Sequence, residues 1–249
     1  FKSGNLFFGK ELKKFEKKFL LTNKSKYGLA VASGTDAIYL SLKALNIGKN
    51  DEVITVANTA IPTASAITNS GADVKFIDIN DDYLINVNQI EKLITKKTKA
   101  IFVVHYGGNC IDLKKILKLK KKYKLFLIED AAHSFLSKYK KKFAGTIGDI
   151  GVFSFHETKN LVAGQGGAIS VNNRKLIKRA NYLLDKGTDR IDFLKNYKKQ
   201  FISEKIKSKK KYYSWVDTGS EYRASELSSA LIYSQIQRYK KIYSARRKI

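Results

Sequence analysis

The chain has 249 residues, of which 43% are hydrophobic, and it carries a formal charge of +26. This size and composition suit a globular protein with one large α/β domain or two small ones. No apolar run is long enough to cross a bilayer, no signal-peptide pattern is present, and Cys110 is the only cysteine. We therefore expect a cytoplasmic protein with no membrane span, no intrachain disulfide and no bound metal.

The positive charge is a feature that nucleic-acid-binding proteins share. The excess here is almost entirely lysine, spread along the whole chain, whereas residues that bind phosphates and bases in a bidentate manner are usually arginine. We interpret the charge as a general lysine bias and expect no nucleic-acid partner. A lysine-rich cavity mouth would still attract a phosphorylated substrate.

The first half of the chain alternates short apolar runs with amphipathic stretches, which predicts βαβ units. Strands are predicted over 28–32, 52–57 and 74–79, with helices over 33–45, 63–70 and 87–94. The nearly continuous apolar run 100–104 predicts a buried parallel strand.

The second half continues the same pattern. Helices are predicted over 112–123 and 176–184, and strands over 125–128, 149–155 and 168–171. Lysine dominates 186–213 without periodicity, which predicts a long surface loop, and a further helix is predicted over 225–243.

An aspartate and a lysine stand in contexts that indicate cofactor chemistry. Asp130 follows the apolar run 125–128, so it lies at a strand end, where open α/β sheets bind ligands. Lys159 follows in the segment 153–160, directly before the glycine-rich stretch 164–167. A lysine that forms a Schiff base and a carboxylate that keeps a pyridine nitrogen protonated are what pyridoxal 5′-phosphate (PLP) requires. The order of the two residues therefore predicts this cofactor.

Three small or polar residues are candidates for binding the cofactor phosphate. Gly34 and Thr35 open a helix directly after a strand, and backbone amides at a helix N-terminus bind phosphate. Ser154, five residues before Lys159, can donate to the same group. The alternatives are an ordinary helix cap and a strand serine.

Two histidines and a tyrosine complete the candidates from residue context. His133 lies three residues after Asp130 and is placed beside the cofactor ring, although a lone histidine is more often structural. His105 and Tyr106 end a buried strand, so they are either substrate contacts or core packing.

These segments, taken together, resemble the DegT/DnrJ/EryC1/StrS family of nucleotide-sugar aminotransferases. The matching segments are 33–35, 48–53, 57–59, 71–72, 105–107, 129–133, 145–148, 153–160 and 164–167. The resemblance implies the three-layer α/β/α, fold-type I PLP-binding large domain with a mostly parallel mixed sheet over 1–240. It also implies that 241–249 begin a truncated C-terminal domain.

A narrower similarity links segments 153–160, 186–190 and 215–220 to TDP-4-keto-6-deoxyglucose 4-aminotransferases. It implies a homodimer that moves the amino group of L-glutamate to C4 of a TDP-4-keto-6-deoxyhexose for surface polysaccharide synthesis. Lys159 would be the Schiff-base lysine and proton carrier, Asp130 the partner of the ring nitrogen, and His133 a neighbour of the ring oxygen. Trp215 joins His105 and Tyr106 as a candidate substrate contact.

The sequence departs from the family pattern at two positions. Many members place an aromatic residue over the ring where this chain has Ala60, and many supply an asparagine to the partner subunit's phosphate where it has Glu221. We expect another group to cover the ring and a glutamate to repel the phosphate.

Two alternatives stay open. One is an aminotransferase acting at another sugar carbon or on a cyclitol. The other is a polyanion-binding protein built on a degenerate PLP scaffold, suggested by the charge, Ala60 and Glu221.

Overall fold

The computed structural model describes residue 4, residues 6–194 and residues 212–248. Its nine strands are β1 Tyr27–Val31, β2 Glu52–Val56, β3 Asp73–Ile77, β4 Thr98–Val104, β5 Phe126–Asp130, β6 Lys138–Tyr139, β7 Lys142–Phe143, β8 Ile150–Ser154 and β9 Gly167–Val171. Seven of them form one sheet in the order β1-β9-β8-β5-β4-β2-β3, and β6 and β7 form a separate hairpin.

The large sheet is mixed and mostly parallel, as predicted. β9 runs antiparallel to both of its neighbours, β1 and β8, while β8, β5, β4, β2 and β3 pair in parallel. The carboxyl ends of β1, β5 and β8 therefore meet at one edge of the sheet, and β9 begins there.

The described helices alternate with these strands along the chain. They are α1 Lys10–Asn23, α2 Gly34–Ala44, α3 Ile61–Asn69, α4 Ile90–Leu93, α5 Leu113–Tyr123, α6 Arg174–Leu184, α7 Glu226–Gln237 and α8 Tyr239–Arg246, with a 3₁₀ turn at Tyr106–Gly108. Polar side chains cap several of them at the N-terminus: Ser33, Asp112, Asn173 and Ser225 each accept a hydrogen bond from a first-turn amide.

Helices cover both faces of the sheet. On β8 and β9, Val152 and Ile169 belong to the main core with residues of α2 and α6, whereas Phe153 and Ala168 pack with α1 and α7. Neighbouring residues of a strand point to opposite faces, so this division confirms the predicted three-layer α/β/α arrangement.

The structure corrects two helix predictions. The helix predicted over 87–94 is a single turn, because the Asn86 side chain accepts the Asn88 amide at 3.1 Å and turns the backbone before Ile90. The helix predicted over 225–243 is two helices that separate at Arg238. The proposed domain boundary at 240/241 lies within α8 and stays a prediction.

Helix α1 was not predicted, because its N-terminal cap comes from a distant residue. The Glu226 carboxylate accepts the backbone amides of Gly9, Glu11 and Leu12 at 2.8, 2.9 and 3.1 Å. No local side chain caps this helix, so the usual sequence signal for a helix start is missing.

Two further observations concern the part of the chain that the structure describes. None of its helices is both long and apolar enough to cross a membrane. It also contains no group of three or more His, Cys, Asp or Glu side chains arranged to hold a metal ion. Residues 195–211 of the predicted basic loop lie outside the described residues.

Candidate active site

A cavity of about 270 Å³ lies at the carboxyl edge of the large sheet. Its walls come from the loops and helix starts that follow β1, β2, β5 and β8, and from the loop that leads into β9. The lining residues are Ser33, Gly34, Thr35, Ile38, Ala60, Pro62, Thr63, Asp130, Ala132, Val152, Phe153, Ser154, His156, Thr158, Lys159 and Gln165. Five of the residues predicted from the sequence, Gly34, Thr35, Asp130, Ser154 and Lys159, therefore share one cavity.

The N-terminus of α2 forms one end of this cavity. Ser33 caps the helix by accepting the Asp36 amide at 3.0 Å, and the first-turn residues Gly34 and Thr35 line the cavity. A Cβ on Gly34 would lie 2.8 Å from the Ser154 Cβ, and one on Gly167 would lie 2.3 Å from the Ser33 carbonyl oxygen. These contacts require glycine and leave backbone amides and a serine hydroxyl side by side, which is a chemically suitable phosphate site.

Asp130 supplies the buried negative charge of the cavity. Only 7% of its surface is exposed, and its Oδ1 accepts the Ala132 amide at 2.9 Å. Burial raises the pKa of this carboxyl, while the Ala132 amide, His133 and Lys159 act in the opposite direction. A cation placed against Asp130 would remove the cost of burying its charge.

Lys159 and His133 are in direct contact. The Lys159 Nζ and His133 Nε2 atoms are 2.9 Å apart, and His133 Nδ1 accepts the Gly107 amide at 3.4 Å. Burial, together with the charge of Lys159, lowers the pKa of His133, so its ring is neutral at neutral pH.

The donor set of the cavity fits PLP. Gly34, Thr35 and Ser154 can receive its phosphate, and buried Asp130 can neutralise a protonated ring nitrogen. Lys159 can reach its aldehyde, and His133 contacts that lysine. Each of the groups that the cofactor requires is present at the same edge of the sheet.

His105 is not part of the cavity, so its predicted substrate contact is not supported. The ring is fully buried, its Nε2 lies 3.0 Å from Glu129 Oε2, and its Nδ1 accepts the Ile111 amide at 3.2 Å. Both ring nitrogens are used within the protein, and of the two interpretations left open by the sequence the structure favours core packing.

The other two candidate substrate contacts lie outside the cavity wall. The Tyr106 ring is 39% exposed and meets the His133 ring edge-on, with 5.9 Å between centroids. Trp215 is 74% exposed and pairs through its backbone with Thr188. Tyr106 is thus a neighbour of the site, whereas Trp215 lies on a surface segment.

The structure shows how Ala60 and Glu221 are accommodated. Ala60 lines the cavity, where it leaves space that an aromatic side chain would fill. Glu221 is partly buried, which opposes its ionisation, but hydrogen bonds from Arg223 and Lys186 lower its pKa to about 2. The expected repulsion of a phosphate is therefore offset by two cations that already contact the carboxylate.

Four polar residues of the cavity wall were not singled out from the sequence: Thr63, His156, Thr158 and Gln165. The His156 Nδ1 and Thr158 Oγ1 atoms are 3.1 Å apart, so the two side chains support each other. His156 and Thr158 lie between Ser154 and Lys159, two residues predicted to bind the cofactor, and this position was the available signal that they belong to the same cavity.

Comparisons with known proteins agree with this geometry. The model of the DegT/DnrJ/EryC1/StrS aminotransferase family matches residues 1–249. GDP-perosamine synthase of Escherichia coli O157:H7 is 42% identical over 180 residues, which are 72% of this chain and 50% of that protein. The dTDP-3-amino-3,4,6-trideoxy-alpha-D-glucose transaminase of Micromonospora megalomicea subsp. nigra is 37% identical over 187 residues, 73% of this chain and 50% of that protein.

Solved structures show the same fold. S. venezuelae DesV, in complex with a ketimine intermediate, superposes with a TM-score of 0.83 at 28% identity, over 96% of this chain and 60% of DesV. NtdA from Bacillus subtilis, with bound cofactor PMP, superposes with a TM-score of 0.81 at 29% identity, over 99% and 53% of the two chains. The chain spans about half the length of the curated relatives it matches. The aminotransferases of this family depend on PLP.

Proposed function

Because this chain belongs to the DegT/DnrJ/EryC1/StrS aminotransferase family, we propose that its cavity binds PLP and serves amino transfer from L-glutamate to a nucleotide-linked keto-sugar. The substrate we propose is a TDP-4-keto-6-deoxyhexose, aminated at C4 to a TDP-4-amino-4,6-dideoxyhexose, with 2-oxoglutarate as coproduct. Such amino sugars serve surface polysaccharide synthesis.

The observation that carries the proposal is the convergence of Asp130 and Lys159 on one cavity. They come from the end of β5 and from the loop between β8 and β9, and both side chains line the same space. A structural ion pair would place the two charges in contact, but the Lys159 amine bonds to His133 and the carboxylate bonds to Ala132. The space between them remains available to a ligand.

Each residue has a distinct task in this proposal. When bound, PLP supplies an electron-accepting ring that lets an amino group pass from donor to acceptor. Asp130 holds the charged ring nitrogen, and the α2 amides with the Ser154 hydroxyl bind the phosphate. The Lys159 amine takes a proton from the amino-bearing carbon of the donor and returns one to the C4 carbon of the sugar. His133, 2.9 Å from that amine, orients it and is placed to exchange the proton with it.

The choice of a TDP-linked 4-keto-sugar is supported by the motif segments 153–160, 186–190 and 215–220. The last two lie together in the fold: the amides of Val216 and Asp217 both donate to the Gly187 carbonyl, at 2.7 and 3.0 Å. They thus form one surface unit that carries the exposed Trp215, apart from the cavity of the same chain. We propose that this unit completes the sugar site of the second subunit in a homodimer.

A GDP-linked keto-sugar is the second candidate. The observation in its favour is the relative named GDP-perosamine synthase, which is 42% identical to this chain, compared with 37% for the relative that acts on a dTDP sugar. The two candidates share the cavity and differ in the nucleotide.

The direct test is an amino-transfer assay with the full chain, PLP and L-glutamate. With TDP-4-keto-6-deoxyglucose as acceptor, we expect 2-oxoglutarate and the amino sugar to form in equal amounts over many turnovers. The GDP-linked 4-keto-sugar serves as the matched acceptor. Turnover with the GDP sugar alone would replace the proposed substrate, and no 2-oxoglutarate with either acceptor would contradict the aminotransferase proposal. The cytoplasmic location stays a prediction.

A further inference from the structure

The loop that carries Lys159 connects β8 to β9 and contains no helix or strand. Its base is closed by two main-chain hydrogen bonds, from the Phe155 amide to the Gly166 carbonyl at 2.8 Å and from the Ala163 amide to the Phe155 carbonyl at 2.7 Å. At its tip, the Lys159 amide donates to the His156 carbonyl at 2.9 Å. The segment between Lys159 and Ala163 therefore depends on partners outside the loop for its position.

Gln235 of α7 provides the shortest of these outside contacts. Its Oε1 accepts the Val162 amide at 2.7 Å in a partly buried setting. The neighbouring α7 residues Ile232 and Ile236 are 2% and 0% exposed, so the helix that presents Gln235 is anchored in the core. A rigid helix thus fixes a backbone amide three residues from the lysine.

Two further contacts hold the same segment. The Asn160 amide group donates to the His133 carbonyl at 3.2 Å, and Arg246 of α8 donates to the Lys159 carbonyl at 3.3 Å. The Arg246 side chain is solvent-exposed, so its bond is weaker than the partly buried bond to Gln235.

We propose that Gln235 is a positioning residue for Lys159: its side-chain carbonyl holds the Val162 amide and so keeps the lysine loop in the conformation that brings Nζ to His133. This inference rests on the proposed function, because it assigns Gln235 a role in presenting Lys159 to PLP. Gln235 itself touches neither the cavity nor the reacting atoms.

The location of this bond makes its effect local. If the acceptor is lost, the Val162 amide is left unsatisfied, and the loop can move to bond water at little cost to the core. Helix α7 keeps its own anchors, since Ile232 and Ile236 remain buried. We therefore expect the loss to appear in the properties of Lys159 rather than in global stability.

The experiment compares three variants of the full chain. Gln235→Met removes the acceptor at nearly constant length, Gln235→Glu keeps an acceptor oxygen, and Gln237→Met alters an exposed glutamine on the same helix. PLP affinity is measured by titrating the visible absorbance, and the rate of borohydride fixation at Lys159 by peptide mapping. We expect Gln235→Met to weaken PLP binding and slow fixation about tenfold, with Gln235→Glu and Gln237→Met within about twofold of wild type.

The outcomes separate the inference from the proposed function. If the wild-type chain shows no adduct at Lys159, this result contradicts the proposed function and therefore the inference as well. A wild-type adduct together with an unaffected Gln235→Met variant overturns the inference alone, as does an equal loss in Gln235→Met and Gln235→Glu. A melting temperature of Gln235→Met within about 2 °C of wild type shows that the loss is local.

If Gln235→Met does not fold, the second contact tests the same point. Arg246→Met removes the bond to the Lys159 carbonyl, and Arg247→Met alters an exposed arginine beside it. We expect Arg246→Met to slow borohydride fixation about threefold relative to Arg247→Met. Equal rates in the two variants would overturn the premise that contacts from outside the loop position Lys159, and the inference with it.

Discussion

Two carboxylates stand side by side at the end of β5, and their surroundings are opposite. Glu129 is fully buried on one face of the sheet, and its two oxygens contact four partners: the His105 Nε2 and the backbone amides of Gly145, Ile147 and Gly148. Asp130, on the other face, accepts one amide and lines the cavity. The first carboxylate is satisfied by the protein, whereas the second has capacity left for a ligand.

Within this dipeptide, Glu129 therefore has a structural role, and Asp130 is placed for a chemical one. Glu129 ties the turn over 145–148 and the segment after β4 to the sheet. Asp130 carries an uncompensated burial cost that a cationic ring nitrogen would relieve. A buried charge with full partners is part of the fold, whereas one that lines a cavity with partners missing indicates a binding site.

The largest effect on turnover should come from Lys159, which lines the same cavity as Asp130. Lys159→Ala removes the amine that moves the proton, so we expect turnover to fall by at least about 10⁴-fold. The measurement is 2-oxoglutarate release, with the circular dichroism spectrum as a check on the fold. Retained turnover in a folded Lys159→Ala variant would contradict the assignment.

Asp130→Asn should lower activity without lowering the stability of the cofactor-free chain. The neutral amide cannot hold a charged ring nitrogen, which we expect to reduce turnover about 10²- to 10³-fold. Its burial is cheaper than that of a carboxylate, so urea unfolding of the cofactor-free protein should give equal or greater stability. A clear loss of stability would mean that Asp130 is structural, like its neighbour.

Glu129→Gln is the matched change on the other face, and it should affect stability first. An amide NH₂ in place of one carboxylate oxygen would face amide or imidazole donors, which we expect to cost about 3 kcal/mol of unfolding free energy. Urea unfolding of this variant beside Asp130→Asn makes the comparison direct. Equal stability of the two variants would contradict the distinction between a structural Glu129 and a ligand-binding Asp130.

Glu16 is a third carboxylate, for which we expect a smaller effect. It accepts one hydrogen bond and does not line the cavity. It accepts the Ala30 amide at 3.0 Å, and burial raises its pKa from 4.5 to about 7, against the effects of that amide and Lys13. A carboxyl with a raised pKa stabilises the fold below its ordinary pKa, and this contribution is lost as the pH rises through the folded value. Between pH 4.5 and 7 we expect wild type to lose about 2 kcal/mol relative to Glu16→Gln.

The matched variant isolates this titration from those of other groups. The difference in unfolding free energy between wild type and Glu16→Gln should change across that window and stay flat above pH 8. A difference that does not vary with pH would show that Glu16 is ionised in the folded protein throughout.

The sequence predicted the parts of the site that depend on local order. Ser33 before α2, Asp130 after an apolar strand and Lys159 before glycines are each signalled by neighbouring residues, and the structure brings all three to one cavity. The alternation of a strand also implies that Glu129 and Asp130 face opposite ways. Which of them lines the cavity depends on the elements that cover each face of the sheet, and the sequence of the strand does not specify these elements.

The features that the sequence did not reveal depend on contacts distant in sequence. His105 occupies a strand end like that of Asp130, but its ring is held by Glu129, 24 residues away. Helix α1 begins where Glu226 accepts its amides across more than 200 positions. Gln235 lies 73 residues from the Val162 amide that it binds. Local patterns carry no information about such pairs.

The most direct test of the central claim is to reduce the full chain with borohydride in the presence of PLP and to map the labelled peptide. Many surface lysines serve as internal competitors, and we predict a single dominant label on Lys159 that disappears in Lys159→Ala. A label scattered over surface lysines, with Lys159 unmodified, would contradict the claim that Asp130 and Lys159 form a PLP site.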